Sequence, residues 1–369
     1  MRILHIIDHW GLGGAQRALA ALIRHERRHE HSVAAVFEHH RQDWDLPQNV
    51  PLIFLTRSYS GLGKTVFTLR RHLRRYKPDV IQVHLNGARF LVAMALWGMP
   101  HKPVLIWHEH SGQELLKKYG YILGRMLLGW QRSLVKQVNR VVGNSESTLT
   151  YLAEFLRVPS RRTALIHCPV DTEHILALAE GRLQRMPEGA RTNGPVAGFI
   201  GRLADQKGPG DLIAAAQNLQ ALAPAAQMWV VGEGPLRPSL EKAVHAQGLA
   251  DHVIFWGQRR DVYAIMQAMS MILMPSRYEP FGLVAVEAFV LGKPVVGYAV
   301  DGLAEVLALS PLGIAVPPGD HSALVNAVLA CLENPPRDES APVRHPFEPE
   351  VICAAWDELY LELAVAHGG

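Results

Sequence analysis

Short apolar runs rich in β-branched residues alternate along this chain with longer stretches of helical period. The runs "RILHIID" (2–8), "SVAAVF" (32–37), "PLIFLT" (51–56), "DVIQVH" (79–84), "PVLIWHEH" (103–110) and "RVVGNS" (140–145) predict buried strands. A helix is predicted from Gly14 to about Arg27, and helical patterns separate most of the other strands. Near-continuous apolar strands alternating with helices predict parallel sheets covered on both faces. The rhythm breaks at 181–195, "GRLQRMPEGARTNGP", a polar stretch without periodicity that reads as a linker. It restarts with "VAGFIGRL" (196–203), "QMWVVGEGP" (227–235), "HVIFWG" (252–257), "MILMPS" (271–276), "PVVGYAV" (294–300) and "GIAVPP" (313–318). A second polar stretch, "ENPPRDESAPVRHP" (333–346), precedes a last helix at about 348–365. The expectation is an α/β chain of two Rossmann-like domains, 1–185 and 194–345, followed by a terminal helical segment, 347–369. In such sheets ligands bind beyond the carboxyl ends of the strands, and two facing domains would put that site in the cleft between them.

Composition narrows the class. The 369 residues are too many for one compact core, and 49% hydrophobic with 19% charged residues describes packed domains rather than a disordered chain. A net charge of +3 does not imply nucleic acid, and the basic stretches have few interleaved aromatics. Cys168, Cys331 and Cys353 are scattered and form no CxxC pair, which argues against a disulfide framework or a structural zinc site and fits a reducing cytoplasm. The opening apolar run reaches Asp8 and then glycines, so it reads as a strand and not a signal peptide. No apolar run approaches the roughly 20 residues of a membrane-spanning helix.

Several stretches carry candidate chemistry. In "GLGGAQRA" (11–18) Gln16 stands where a dinucleotide fingerprint wants its third glycine. What survives is an anion site at a helix N-terminus made by the amides near Gly13 and Gly14, or a tight turn with no ligand. "SGLGKT" (60–65) lacks the first glycine of a phosphate loop, because Ser58 occupies that position. In "GRLADQKG" (201–208), Arg202 and Lys207 sit near a strand's carboxyl end, where a pyrophosphate would lie; two solvated loop cations are the alternative. In "RYEPFGLVAVEAF" (277–289), Gly282 sits where a loop turns into a helix. The amides of Phe281, Gly282 and Leu283 could there face a phosphate or a sugar hydroxyl. Glu279 lies in that loop and Glu287 about one and a half turns into the helix. Carboxylates suit vicinal hydroxyls, and the apolar residues around Glu287 argue against a surface filler.

Together "GGAQR", "GRLADQKGPGDLIAA", "VVGEGP" and "RYEPFGLVAVEAFVLGKPVVGYAVDGLAEVL" resemble glycosyltransferase family 4 over nearly the whole chain, most strongly over 196–320. The order and spacing of four motifs make this resemblance more specific than any one of them. It implies a GT-B fold, two Rossmann-like domains facing across a cleft with the C-terminal helix packing back on the first. It also implies a retaining, metal-independent transfer from a nucleotide sugar, with no cofactor; the sequence does not name the base, and a UDP-sugar is favoured with GDP and ADP open. The glutamates match the family's E-x7-E signature, so Glu279 is expected on the donor sugar and Glu287 on its ribose. Arg202, Lys207 and the backbone of Gly14 are expected on the diphosphate, and Phe281, Gly282 and Leu283 along the donor site. "WGQRRDV" (256–262) resembles the base-contacting stretch, which nominates Gly257 or Arg259. The family also has a histidine after a first-domain strand; in "WHEHSG" His110 matches best and His108 is the alternative.

A zinc site from His108, Glu109 and His110 finds no further ligand in the sequence, so no metal is expected. Two basic segments free of acidic residues stand out. One spans 57–77, with Arg57, Lys64, Arg70, Arg71, Arg74, Arg75 and Lys77; the other is 115–136. Either could lie on an anionic membrane surface, or be a core-facing helix with snorkelling cations. The expected acceptor is a glycan or lipid-linked glycan in lipopolysaccharide, capsule or exopolysaccharide synthesis. The expected location is the cytoplasm, on the inner face of the membrane if those segments bind it. The rival readings are a sugar-nucleotide binder without turnover and a GT-B epimerase or phosphorylase.

Overall fold

The computed structural model describes residues 1–11, 13–37, 46–56, 61–100, 102–110, 114–181, 183, 185–337 and 345–368. Contacts divide the chain into two units, Met1–Val170 with Phe347–Gly369, and Asp171–Pro346. The first unit holds a sheet of β1 (Arg2–His9), β2 (Glu30–Phe37), β3 (Leu52–Thr56), β4 (Val80–His84), β5 (Val104–Glu109), β6 (Arg140–Gly143) and β7 (Thr163–Leu165). Their order is β3-β2-β1-β4-β5-β6-β7, and every pairing is parallel. The second holds β8 (Val196–Ile200), β9 (Gln227–Val231), β10 (Val253–Gly257), β11 (Met271–Met274), β12 (Val295–Tyr298) and β13 (Gly313–Val316), again all parallel, in the order β10-β9-β8-β11-β12-β13.

The inner strands are buried on both sides, which is why they read as apolar runs instead of alternating ones. In the first sheet Leu4, Ile6, Ile81, Val83, Leu105 and Trp107 belong to one core. Ile3, Ile7, Val33, Val80 and Ile106 point to the other face, under Trp356 and Tyr360 of the helix Pro349–Gly368. Successive residues of a strand alternate faces, so His5, His31, Gln82, His84 and His108 share that second face with the isoleucines and valines. A stripe of imidazoles therefore runs through an otherwise apolar layer. The strand β7 had no sequence signal: three half-buried residues are too short to carry a period.

The unit boundary falls earlier than the polar stretch 181–195 suggests. Asp171 caps the helix Thr172–Ala179, its carboxylate accepting from the His174 amide at 2.9 Å. That helix packs against the helix Val262–Ala268 and so belongs to the second unit, although the 1–185 boundary assigned it to the first. The basic segment 115–136 is also not one continuous helix. Within Glu114–Leu134 the chain breaks at Gly120, whose φ of 70° is left-handed. Arg57, Ser60 of the "SGLGKT" stretch and half of the polar run 333–346 lie outside the described residues, as do the side chains of Lys117 and Lys118. Among the described residues no helix is long and apolar enough to cross a membrane.

Candidate functional site

In the second sheet β8 neighbours β9 on one side and β11 on the other. The chain changes winding direction there, the place at which open α/β sheets bind their ligands. The loop after β8 carries Arg202 and the turn Asp205–Lys207. The loop after β11 carries Ser276 through Gly282. The two are stitched together by backbone: the Arg277 amide donates to the Gln206 carbonyl at 2.9 Å, and the Gln206 side chain donates to the Tyr278 carbonyl at 3.3 Å. This stitching brings the Lys207 ammonium onto the Glu279 carboxylate in a part-buried ion pair. The Ser276 hydroxyl lies 3.4 Å from the same carboxylate oxygen. An ammonium and a carboxylate held this way are fixed before any ligand arrives, which lowers the cost of ordering them on binding.

A third loop completes the cluster. The Glu279 amide donates to the Asp301 carboxylate at 3.1 Å, and the Leu303 amide donates to the Glu279 carbonyl at 3.3 Å. Asp301 itself has a φ of 44°, a left-handed conformation that few residues other than glycine adopt. Next to it, a Cβ added to Gly302 would lie 2.1 Å from the Pro280 carbonyl oxygen, so only glycine lets the two loops touch. Gly282 has a φ of 98° and begins the helix Leu283–Val290 without a side-chain cap. That sharp entry aims the helix's positive end at the crevice side of the loop.

Glu287 lies within that helix, 3% exposed, and accepts a hydrogen bond from the Tyr263 hydroxyl at 3.1 Å. It is thus held by the helix Val262–Ala268, apart from the Lys207–Glu279 pair. Phe281 is buried and Leu283 half-buried beside Gly282. Arg202 is exposed, and among the described residues its guanidinium makes no hydrogen bond or ion pair. Arg259 is engaged: it forks onto Asp261 at 2.8 and 2.7 Å, donates to the Arg185 carbonyl at 2.9 Å and lies over the Trp256 ring. Gly257 ends β10 with a φ of 66°, near Glu233 and Arg237. Ser276, Tyr263 and Asp301 were not singled out from the sequence. Asp301 had one local signal, an acidic residue just before a glycine at a helix start; Tyr263 had none, because its partner is 24 positions away.

The first unit presents different chemistry at its own strand ends. Gly13 is extended at the start of the helix Gly14–His25, and a Cβ there would meet the Gln16 side chain, which also donates to the His9 carbonyl at 3.1 Å. Beyond β4, the amides of Gly87 and Ala88 donate to the Asp8 carboxylate at 3.1 and 2.6 Å, so that helix start is already capped. His110 follows β5, half-buried, with its Nε2 3.0 Å from Nδ1 of His84. Burial, with the nearby Arg89 cation adding to it against Glu109, pushes its pKa down to about 4, so the imidazole is neutral at pH 7. His5, His84 and His108 are likewise pushed down, chiefly by burial. Beneath them Arg89 and Glu109 pair at 2.8 Å with no exposure, and the Arg89 guanidinium lies 4.7 Å from the Trp107 ring centroid. Among the described residues two groups bring three metal-ligand side chains together: His84, His108 and His110, and Glu26, His29 and Asp357.

Comparison with known proteins agrees with this architecture. The model "Glycosyltransferase Family 4" matches residues 12–174 and "Glycosyl transferases group 1" matches 182–342. A 2-deoxystreptamine N-acetyl-D-glucosaminyltransferase of Streptomyces fradiae is 31% identical over 71% of this chain and 65% of its own length. An alpha-D-kanosaminyltransferase of Streptomyces kanamyceticus is 31% identical over 72% of this chain and 71% of its own. A lipopolysaccharide core mannosyltransferase of Rhizobium meliloti is 27% identical over 78% and 84%. Among solved structures, a sucrose-phosphate synthase from Thermosynechococcus elongatus superposes with a TM-score of 0.79 at 23% identity, covering 99% of both chains. HepE from Anabaena, in complex with UDP and glucose, does so at 0.77 and 22%, covering 96% of this chain and 98% of its own. The fold is therefore the two-domain α/β GT-B type. The chain belongs to glycosyltransferase family 4.

Proposed function

We propose that this chain moves a hexose from a nucleotide diphosphate, with a UDP-sugar favoured, to a hydroxyl of a glycan or lipid-linked glycan, retaining the anomeric configuration. The observation that carries the reading is the Lys207–Glu279 ion pair at the switch point of the second sheet, beside the helix start at Gly282. In the transfer the bond from the anomeric carbon to the diphosphate oxygen breaks, and a bond to the acceptor oxygen forms on the same face. The acceptor proton passes to the departing diphosphate, so no enzymic base is required. Lys207 and Arg202 stabilise the charge growing on that diphosphate, the task a divalent metal performs elsewhere. One well-placed donor of this kind contributes about 3 kcal/mol. Glu279 takes hydroxyls of the donor sugar and Glu287 those of the ribose. The neutral imidazole of His110 suits a hydrogen bond to a sugar hydroxyl better than an imidazolium would. Gly13, Gly14, Gly257, Phe281 and Leu283 complete the proposed donor contacts. Arg259 joins them only if it leaves Asp261, which makes Gly257 the better candidate for the base.

Two kinds of support bear on the acceptor. The Rhizobium relative is named for lipopolysaccharide core biosynthesis, while the first Streptomyces relative is named for 2-deoxystreptamine. On the helix Leu62–Tyr76, Phe67 is 65% exposed among the exposed cations Lys64, Arg71, Arg74 and Arg75, and Trp97 nearby is 82% exposed. Aromatic residues among cations fit a peripheral contact with an anionic membrane, which would put the enzyme on the cytoplasmic face.

Lys207→Ala and Glu279→Ala are each expected to lower kcat/KM at least tenfold in chains that remain folded. Near-normal turnover in both removes the assignment. Slow release of nucleotide diphosphate from a donor separates a transferase from a binder, and a thermal-shift panel of nucleotide sugars identifies the donor, since a bound ligand stabilises by RT ln(1 + [L]/Kd).

A further inference from the structure

We propose that the first unit binds one zinc-like transition-metal ion through His84, His108 and His110. The sequence supplied only two of these ligands; the sheet register supplies the third. β4 and β5 run parallel with His84 directly beside His108, and His110, two residues on, emerges on the same face. One ring nitrogen from each of the three lies within 4.8 Å of the others. His84 Nδ1 and His110 Nε2 are 3.0 Å apart. In a tetrahedral zinc site with Zn–N bonds of ~2.0–2.1 Å, two nitrogens stand about 3.3 Å apart, so that edge needs only a few tenths of an ångström.

The third nitrogen needs an explanation of its own. His108 Nε2 is buried and has no hydrogen-bond partner. A buried polar atom left that way carries a desolvation cost that a bound ion would remove. The outer partners suit ligation too. His84 Nε2 lies 3.3 Å from His5 Nδ1, which leaves Nδ1 of His84 for the ion. His108 Nδ1 lies 3.3 Å from the Gln82 amide, whose other side meets the Tyr360 hydroxyl. A half-turn of that amide lets its carbonyl accept from Nδ1–H while its NH2 donates to the Tyr360 oxygen, because a phenol can act either way. The Nε2 lone pair is then available for an ion, and a ligating histidine is held by its other nitrogen in just this manner.

Imidazole ligands select zinc, cobalt, nickel or copper over magnesium and calcium. Neutral imidazole is the form that ligates. Three protein ligands leave a fourth position for water. The second cluster carries no such case, since Asp357 is already paired with Arg28 and His29, and Glu26 with His31. The ion is not needed for the transfer proposed above, in which His110 only hydrogen-bonds a sugar hydroxyl, a bond its Nδ1–H can still donate with Nε2 on the ion. The site rests on the first unit alone, so a chain inactive with every donor would still bind it.

The test is titration of the chelator-treated full chain with Co2+. The expected result is one equivalent bound, with the intense visible bands of four-coordinate cobalt, displaced by one equivalent of Zn2+. His110→Ala, at the half-buried strand end, should keep its circular dichroism and melting temperature and weaken binding at least tenfold; His108→Gln serves as the second variant. Asp357→Asn should bind as the parent chain does. Absence of stoichiometric cobalt in the parent chain, or an unchanged spectrum in a folded His110→Ala or His108→Gln chain, overturns the site.

Discussion

The two sheets share one strand order through their first six strands, yet the ends of those strands do opposite things. At the switch point of the second sheet, loops from β8, β11 and β12 meet through backbone hydrogen bonds and a glycine contact. They carry a half-buried cation, Lys207, paired with a buried carboxylate, Glu279. At the corresponding point of the first sheet most polar groups, His108 Nε2 apart, are paired internally. Asp8 caps the helix after β4, Arg89 and Glu109 neutralise each other in the core, and histidines bond to histidines. Winding fixes where a crevice opens; the side chains at the strand ends decide whether it presents charge to a ligand.

That contrast can be broken from either side. The largest expected effect is on the inward-looking unit. Arg89→Met removes the guanidinium from the buried Glu109 carboxylate and should cost about 3–5 kcal/mol, seen as a lowered denaturant midpoint, with Arg89→Met/Glu109→Gln recovering part of it. Full stability in Arg89→Met would mean the pair contributes nothing. Next, Gly302→Ala drives a methyl into the Pro280 backbone and should cost about 1–3 kcal/mol. Donor affinity should fall with it, because the same turn holds the Glu279 amide. Calorimetry finding stability lost and affinity intact would uncouple the Asp301 turn from the donor site.

Smaller effects sharpen the picture. Tyr263→Phe removes one neutral donor from Glu287 and should cost about 1 kcal/mol. If Glu287 holds the ribose, KM for the donor should rise more than kcat falls. The least effect on the fold is expected from Phe67→Ser combined with Trp97→Ser, within about 0.5 kcal/mol because both rings are exposed. Flotation with anionic vesicles at low salt should nevertheless drop in this variant. Equal flotation by parent and variant, or none by the parent, would remove the membrane role of that helix.

Much of the scaffold was legible along the chain. Twelve of the strands coincide with apolar runs read from the sequence, because a parallel sheet buries both faces and leaves an unbroken hydrophobic signal. The glutamates, Arg202, Lys207 and the loop glycines stood out for a similar local reason: polar or small residues interrupting apolar runs at strand ends. What was illegible depended on distance along the chain. The helix Thr172–Ala179 went to the wrong unit because its packing partner lies some ninety residues later in the sequence. Tyr263 and His84 gave no warning of their roles and Asp301 only a local one, since each acts through a partner brought near by strand order. The sequence by itself determined the periods, the strand ends and the kinds of residue placed there, because those follow from neighbours a few positions apart. Only the tertiary structure decided which ends meet, that Lys207 reaches Glu279 and that three histidines converge, because pairing across a sheet is set by register and winding rather than by spacing along the chain.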